Sequence, residues 1–247
     1  MKKLSIFIFT LAILFMACNE NESIIENSEK AIILNIDYGK IHNESLEAYY
    51  NEYGFNAITN IKGLTEKLYD ITKINNSELF INDNKEQSIN FVINQIFEAS
   101  TLTKYNYSRK TVNLFLEGSK SGLISSKLAD FFIGIIERNE SKDIILNQLD
   151  EFSSKNKLTI REQIYIDIFK SIYISSDQFW DEKEQLGLIS FNKAIGSCVP
   201  SHQVRIADAA VGVAAFFLGG PVTSLIASQL ASALVEHQQA ENNGQCI

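Results

Sequence analysis

Residues able to carry chemistry are few in this chain, and they do not cluster. The three histidines, His42, His202 and His237, have no second ligand at metal spacing, such as a histidine four residues away with a glutamate between. No Gly-rich loop joins a strand to a helix in the phosphate-binding pattern, no Gly-x-Ser-x-Gly elbow occurs, and no Cys-x-x-Cys is present. Asp181, Glu182 and Glu184 stand beside the sole tryptophan, Trp180. Two carboxylates flanking a sugar, with an aromatic ring to stack on it, would suit glycoside hydrolysis. The competing reading, and the favoured one, is a solvated helix start with Phe179 and Trp180 packing inward. Asp208 heads the most apolar stretch of the chain after its first residues. It is either a functional buried carboxylate or an acid answering the positive end of a helix, and the second is expected. The expectation is therefore a non-enzymatic protein with no metal and no cofactor.

The elements that would position these residues are helical. Only two prolines occur, Pro200 and Pro221, so most of the chain lacks the strongest helix breaker. Apolar residues recur at helical spacing: Leu46, Tyr49, Tyr50 and Tyr53; Leu64, Leu68, Ile71 and Ile74; Ile89, Val92, Ile93, Ile96 and Phe97. The pattern continues with Leu128, Phe131, Phe132, Ile135 and Ile136, then Ile144, Ile145, Leu149 and Phe152. Thr159 and Glu162 make a capping box ahead of Ile164, Tyr165, Ile168, Phe169 and Ile172. Only "KAIILNIDYG" alternates like a strand, and imperfectly; extended coil or helix suits it equally. Short connections predict an all-α array of antiparallel helices.

The apolar stretch runs from Ala207 to His237 and is broken at Gly219, Gly220 and Pro221. Neither half reaches the ~20 residues a membrane-spanning helix needs. Gly-Gly-Pro ends one helix and starts another, which predicts a helical hairpin turning at these three residues. Small residues at Ala210, Gly212 and Ala214 on one arm, and at Ser224, Ala227, Ser228, Ala231 and Ser232 on the other, would let the arms approach closely. Three readings compete: a core hairpin buried by the preceding helices, a membrane-inserting hairpin, and a surface for a partner in the envelope. The serines and Gln229 favour the first and third. The lack of charge between Asp208 and Glu236 keeps the second in play.

The chain begins "MKKLSIFIFTLAILFMACNENES". Lys2 and Lys3 precede an apolar run, Leu4 to Met16, too short for a membrane span, and Ala17-Cys18 follows. This resembles a bacterial lipoprotein signal with its lipobox, of the relaxed Bacteroidota-like kind, with Phe15 and Met16 departing from the usual residues. The resemblance implies cleavage before Cys18 and acylation of that cysteine, with two or three acyl chains giving stable membrane attachment. The acidic residues Glu20 and Glu22 are similar to a signal for export to the outer face of the outer membrane; a solvated linker explains them equally. The expected location is the cell envelope, lipid-anchored to the outer membrane. With Cys18 acylated, Cys198 and Cys246 remain as a pair in an oxidising compartment, where a disulfide would bracket the hairpin. The expected organisation is a signal peptide over 1–17, an acidic tether over 18–30, a helical domain over 31–197 and the hairpin over 198–247.

The 247 residues include 22 basic and 30 acidic, a net charge of −8, and cleavage before Cys18 also removes Lys2 and Lys3. That balance excludes a nucleic-acid partner, which needs a basic face, and electrostatic attraction to anionic lipid. The expected partners are the membrane, through the lipid on Cys18, and a protein of the envelope. The segment from Ile145 to Phe179 is also similar to helix pairs in lipoproteins related to the bacteriocin fulvocin C, without the cysteine-rich tail of that group. That resemblance keeps a membrane-active or bacteriocin-related role as the alternative function.

Overall fold

Asp37 accepts a hydrogen bond from the Lys40 amide at 3.0 Å and so caps the first helix, α1 (Tyr38–Tyr53). The strand-like reading of "KAIILNIDYG" therefore fails from Asp37 onward: a capping acid, not an alternating pattern, decides the local structure there. The computed structural model describes residues 36–54, 60–97, 107–138, 140–187 and 201–241. They hold eight α-helices and no strand, which makes the fold all-α.

After α1 come α2 (Ile61–Asn75), a 3-10 turn at Ser77–Phe80, and α3 (Lys85–Phe91), which runs into a π-helical turn at Val92–Phe97. Then follow α4 (Tyr107–Lys120), α5 (Ser126–Arg138), α6 (Lys142–Lys155), α7 (Ile160–Gln185) and α8 (Ser201–Glu241). Asn60 caps α2 through the Gly63 amide at 2.6 Å, and Asn84 caps α3 through Gln87 at 3.1 Å. The Thr159–Glu162 capping box forms in both directions at the head of α7.

The helical stripes are buried where they cross other helices and exposed where helices end. Leu46, Tyr49 and Tyr50 are buried, whereas Tyr53 in the last turn of α1 is 36% exposed. Leu64, Leu68 and Ile71 are buried, whereas Ile74 is 78% exposed. An aromatic ladder joins three helices: Phe115 of α4 stacks on Phe132 of α5 at 5.2 Å, and Phe132 stacks on Phe169 of α7 at 5.3 Å.

α8 is two helices in a hairpin. Gly220 has φ 85° and ψ −168°, a conformation that glycine adopts without strain, and Pro221 restarts the second arm. Contacts between the arms run antiparallel away from the turn: Thr223 Oγ1 to the Ala215 carbonyl at 3.0 Å, Ser224 Oγ to the Gly212 carbonyl at 2.8 Å, then Ser232 to Asp208. The stretch Val204–Leu234 is long and apolar enough to cross a membrane by length and composition alone. Here it is the centre of the bundle, packed against α1 to α5 and α7. Every residue over 204–215 and 222–234 is buried, and only the turn region reaches the surface. Leu225, Ile226, Leu230 and Leu234 are each exposed by 1% or less, as expected of an arm that carries no charged residue over 222–234.

Close helix crossings need small residues. A Cβ at Gly212 would lie 2.6 Å from Ile172 Cδ1 and 3.3 Å from Ser228 Cβ, so this glycine lets α7 and the second arm approach together. Where α1 crosses α7, a Cβ at Gly39 would fall 2.1 Å from the Ser171 carbonyl oxygen.

Candidate functional site

The chemistry-bearing residues that the fold brings together lie inside it. Asp208 is fully buried in the third turn of α8. The helix begins at Ser201, so Asp208 is past the free amides of the first turn and does not answer the helix's positive end. That expectation is corrected. Its Oδ2 accepts from Ser176 Oγ of α7 at 2.6 Å and also meets Ser232 Oγ of the second arm. His42 of α1, equally buried, places Nε2 3.3 Å from Ser232 Oγ and 4.0 Å from Asp208 Oδ2.

Burial sets the charge of both groups. Desolvation pushes the Asp208 carboxyl up to about 7, against the hydrogen bonds of Ser176 and Ser232, the Trp180 indole and the more distant Arg205 charge. Desolvation lowers the His42 imidazole to about 4, against its hydrogen bonds to Asn43 and to the Ser228 carbonyl. Serine, histidine and aspartate thus meet, yet not as a hydrolase triad. Ser232 lies between the other two, whereas in a triad the histidine does, and all three side chains are buried.

A second polar group lies one helical turn away on the same arm. Thr72 Oγ1 of α2 is 3.0 Å from Gln229 Oε1, 3.1 Å from Ser45 Oγ and 2.7 Å from the Leu68 carbonyl, and all three polar side chains are buried. Gln229 Nε2 has no hydrogen-bond partner among the described residues.

Charges gather at the start of α8. Arg205 bonds Asp177 at 2.5 Å and Asp181 at 2.5 Å, and Lys142 of α6 closes on the other oxygen of Asp177. Arg205 and Asp177 are nearly buried. The carboxylates beside Trp180 therefore do not frame a sugar site. Trp180 is fully buried against Phe179 and Tyr50, and Asp181 is held by Arg205. Inward packing of Phe179 and Trp180 agrees with the favoured sequence reading, but their segment ends α7 and does not start a helix. Helical phase continues unbroken from Ile160, which a search for caps in the local segment overlooks.

Gly219, Gly220 and Pro221 form the expected turn. Cys18, Cys198 and Cys246 lie outside the described residues, as do the side chains of His202 and His237. Among the described residues no cluster of His, Cys, Asp and Glu is able to hold a metal ion. No known family model matches the chain, and neither a curated protein nor a solved structure does.

Proposed function

We propose that this chain is a lipid-anchored protein of the cell envelope, held to the outer membrane through acyl chains on Cys18, with a non-enzymatic binding or structural role. The observation that supports it best is the enclosure of the hairpin. Its apolar surface over 204–215 and 222–234 is covered by the chain's own helices, so that surface serves cohesion and membrane attachment falls to the N-terminal cysteine. The net charge of −8 suits a helical body tethered beside a membrane, without adhering to anionic headgroups. The buried polar groups supply rigidity in this reading, and the partner is a protein met at the surface of the helical body. A Cys198–Cys246 disulfide belongs to the same envelope setting.

Intact mass of detergent-extracted protein tests the anchor. The expected product starts at Cys18 and carries acyl chains, and Cys18→Ser abolishes both; an uncleaved or unacylated chain would sink the proposal. Two alkylatable thiols after unfolding without reductant would remove the disulfide. Dye release from liposomes separates the membrane-active alternative: folded protein is expected to release none at micromolar concentration.

A further inference from the structure

The two ends of the bundle differ, and one of them is marked by the turn of the hairpin. Phe216, Leu218, Gly220 and Pro221 are partly exposed and Gly219 is exposed, between arms that are otherwise enclosed over 204–234. The heads of three helices gather round this tip. Tyr38, the first residue of α1, sets its ring 6.0 Å from Phe216, and Tyr165 in the second turn of α7 is 5.8 Å from the same ring. Tyr165 also donates to the Leu123 carbonyl at 3.1 Å, in the connection that leads into α5. Ile160, which opens α7, is 62% exposed. The turn carries little unmet polarity. Pro221 has no amide hydrogen, and Thr223 Oγ1 lies 3.0 Å from the Ala215 carbonyl and 2.8 Å from the Gly220 carbonyl.

Charge separates the same two ends. Exposed cations stand at the tip end: Lys120 closes α4, and Lys127 and Arg161 lie in the first turns of α5 and α7. Of the acids in these terminal turns, Asp37 and Glu162 are engaged as helix caps and Glu117 is exposed. At the opposite end, where α1 and α7 finish, Glu52, Asp181 and Glu182 are exposed. Lys183 and Arg205 are buried there in ion pairs with Glu47, Asp177 and Asp181.

We propose that the hairpin tip and the helix ends around it seat the body on the lipid headgroup layer, with the acidic end pointing away from the membrane. This rests on the acyl anchor at Cys18. The tethered chain joins the body at Asp37, and so arrives at the tip end. Seating the acidic end instead would send the tether back along α1, whose 16 residues are about 24 Å long. An anchor in the same bilayer makes the contact intramolecular, so a shallow seat of a few apolar side chains suffices. Headgroup phosphates, which zwitterionic lipid also carries, favour the end with exposed cations over the carboxylate end, even in a chain of negative net charge. The acidic end is left facing outward for a protein partner.

The test is tryptophan quenching in the acylated full chain, extracted in detergent and reconstituted into phosphatidylcholine vesicles brominated near the headgroup. Leu218→Trp and Ile160→Trp report the tip end. Leu186→Trp, at a site 63% exposed just past α7, reports the opposite end, and buried Trp180 is the background common to all. The tip variants should be quenched on the order of twofold more than Leu186→Trp, and less by lipid brominated at the chain ends, as a shallow seat requires. Ile160 is exposed and tolerates substitution, so it decides alone if Leu218→Trp fails to fold. Equal quenching at both ends, stronger quenching at Leu186→Trp, or strongest quenching of the tip by deep bromines would overturn the seat and leave the anchor standing. Intact mass of the same sample separates the two readings: a chain without acyl groups would overturn the anchor and the seat with it.

Discussion

Asp208 Oδ2 lies 4.0 Å from His42 Nε2, with both side chains fully buried and Ser232 Oγ bridging them. Their effects on stability oppose each other. Asp208 rises from 3.8 to about 7 on folding, so its favourable contribution is complete below about pH 4 and is lost as pH climbs to 7. His42 drops from 6.5 to about 4, so its contribution is complete above 6.5 and is lost as pH falls to 4. Between those limits the folded and unfolded pairs hold about the same number of protons. Stability of the wild type, measured by urea unfolding, should therefore be nearly flat from about pH 4.5 to 6, other groups aside. Asp208→Asn should make it rise with pH and His42→Gln should make it fall, each by up to about 1.4 kcal/mol per pH unit. Parallel profiles for the two variants would refute the coupling.

Two glycines at helix crossings should respond differently to alanine. At Gly39 the new methyl meets the Ser171 carbonyl oxygen at 2.1 Å, backbone that cannot step aside. Gly39→Ala should cost about 2 kcal/mol or more, within the range of overpacked cores. At Gly212 the nearest atom is Ile172 Cδ1, the free end of a side chain, and alanine's helix propensity returns up to about 1 kcal/mol. Gly212→Ala should stay within about 1 kcal/mol of the wild type in urea midpoint terms. A larger loss at Gly212 than at Gly39 would contradict this ordering.

The helices were legible because each buries a stripe at its own period, and Leu68, Val92, Phe132 and Ile168 all sit where the spacing puts them. The hairpin was legible because Gly219, Gly220 and Pro221 break a helix whatever surrounds them. The polar interior was not. His42 and Ser232 are 190 residues apart, and nothing in either neighbourhood marks the other as a partner. Asp208 was misjudged because its role depends on where α8 starts, seven residues earlier. Gly39 needs to be small only because α7 crosses there, a fact of tertiary packing.

Gln229 offers an apolar replacement that should help. Its Nε2 is buried without a hydrogen-bond partner among the described residues, a defect that costs about 1–3 kcal/mol. Thr72 keeps the Leu68 carbonyl at 2.7 Å and Ser45 when Gln229 is removed, so no new orphan arises. Gln229→Met, close in volume, should raise stability by about 1 kcal/mol. Thermal and urea unfolding check it, and a loss of stability would mean that Nε2 serves a purpose.

The Arg205 network should be strongly asymmetric. Asp177 is 5% exposed, and Arg205 supplies one of its two charged partners. Arg205→Met keeps much of the volume but leaves a buried carboxylate with Lys142 alone, and breaking a buried pair costs about 3–5 kcal/mol. The low end is expected because Lys142 remains. The Asp181 side chain is 52% exposed, so Asp181→Asn should cost less than about 1 kcal/mol, and salt should screen that effect. Replacing Arg205 and Asp177 together, by Met and Leu, should cost less than Arg205→Met alone, since no uncompensated buried charge is left. Additive losses across that double-mutant cycle would show that the two residues act independently despite their 2.5 Å contact.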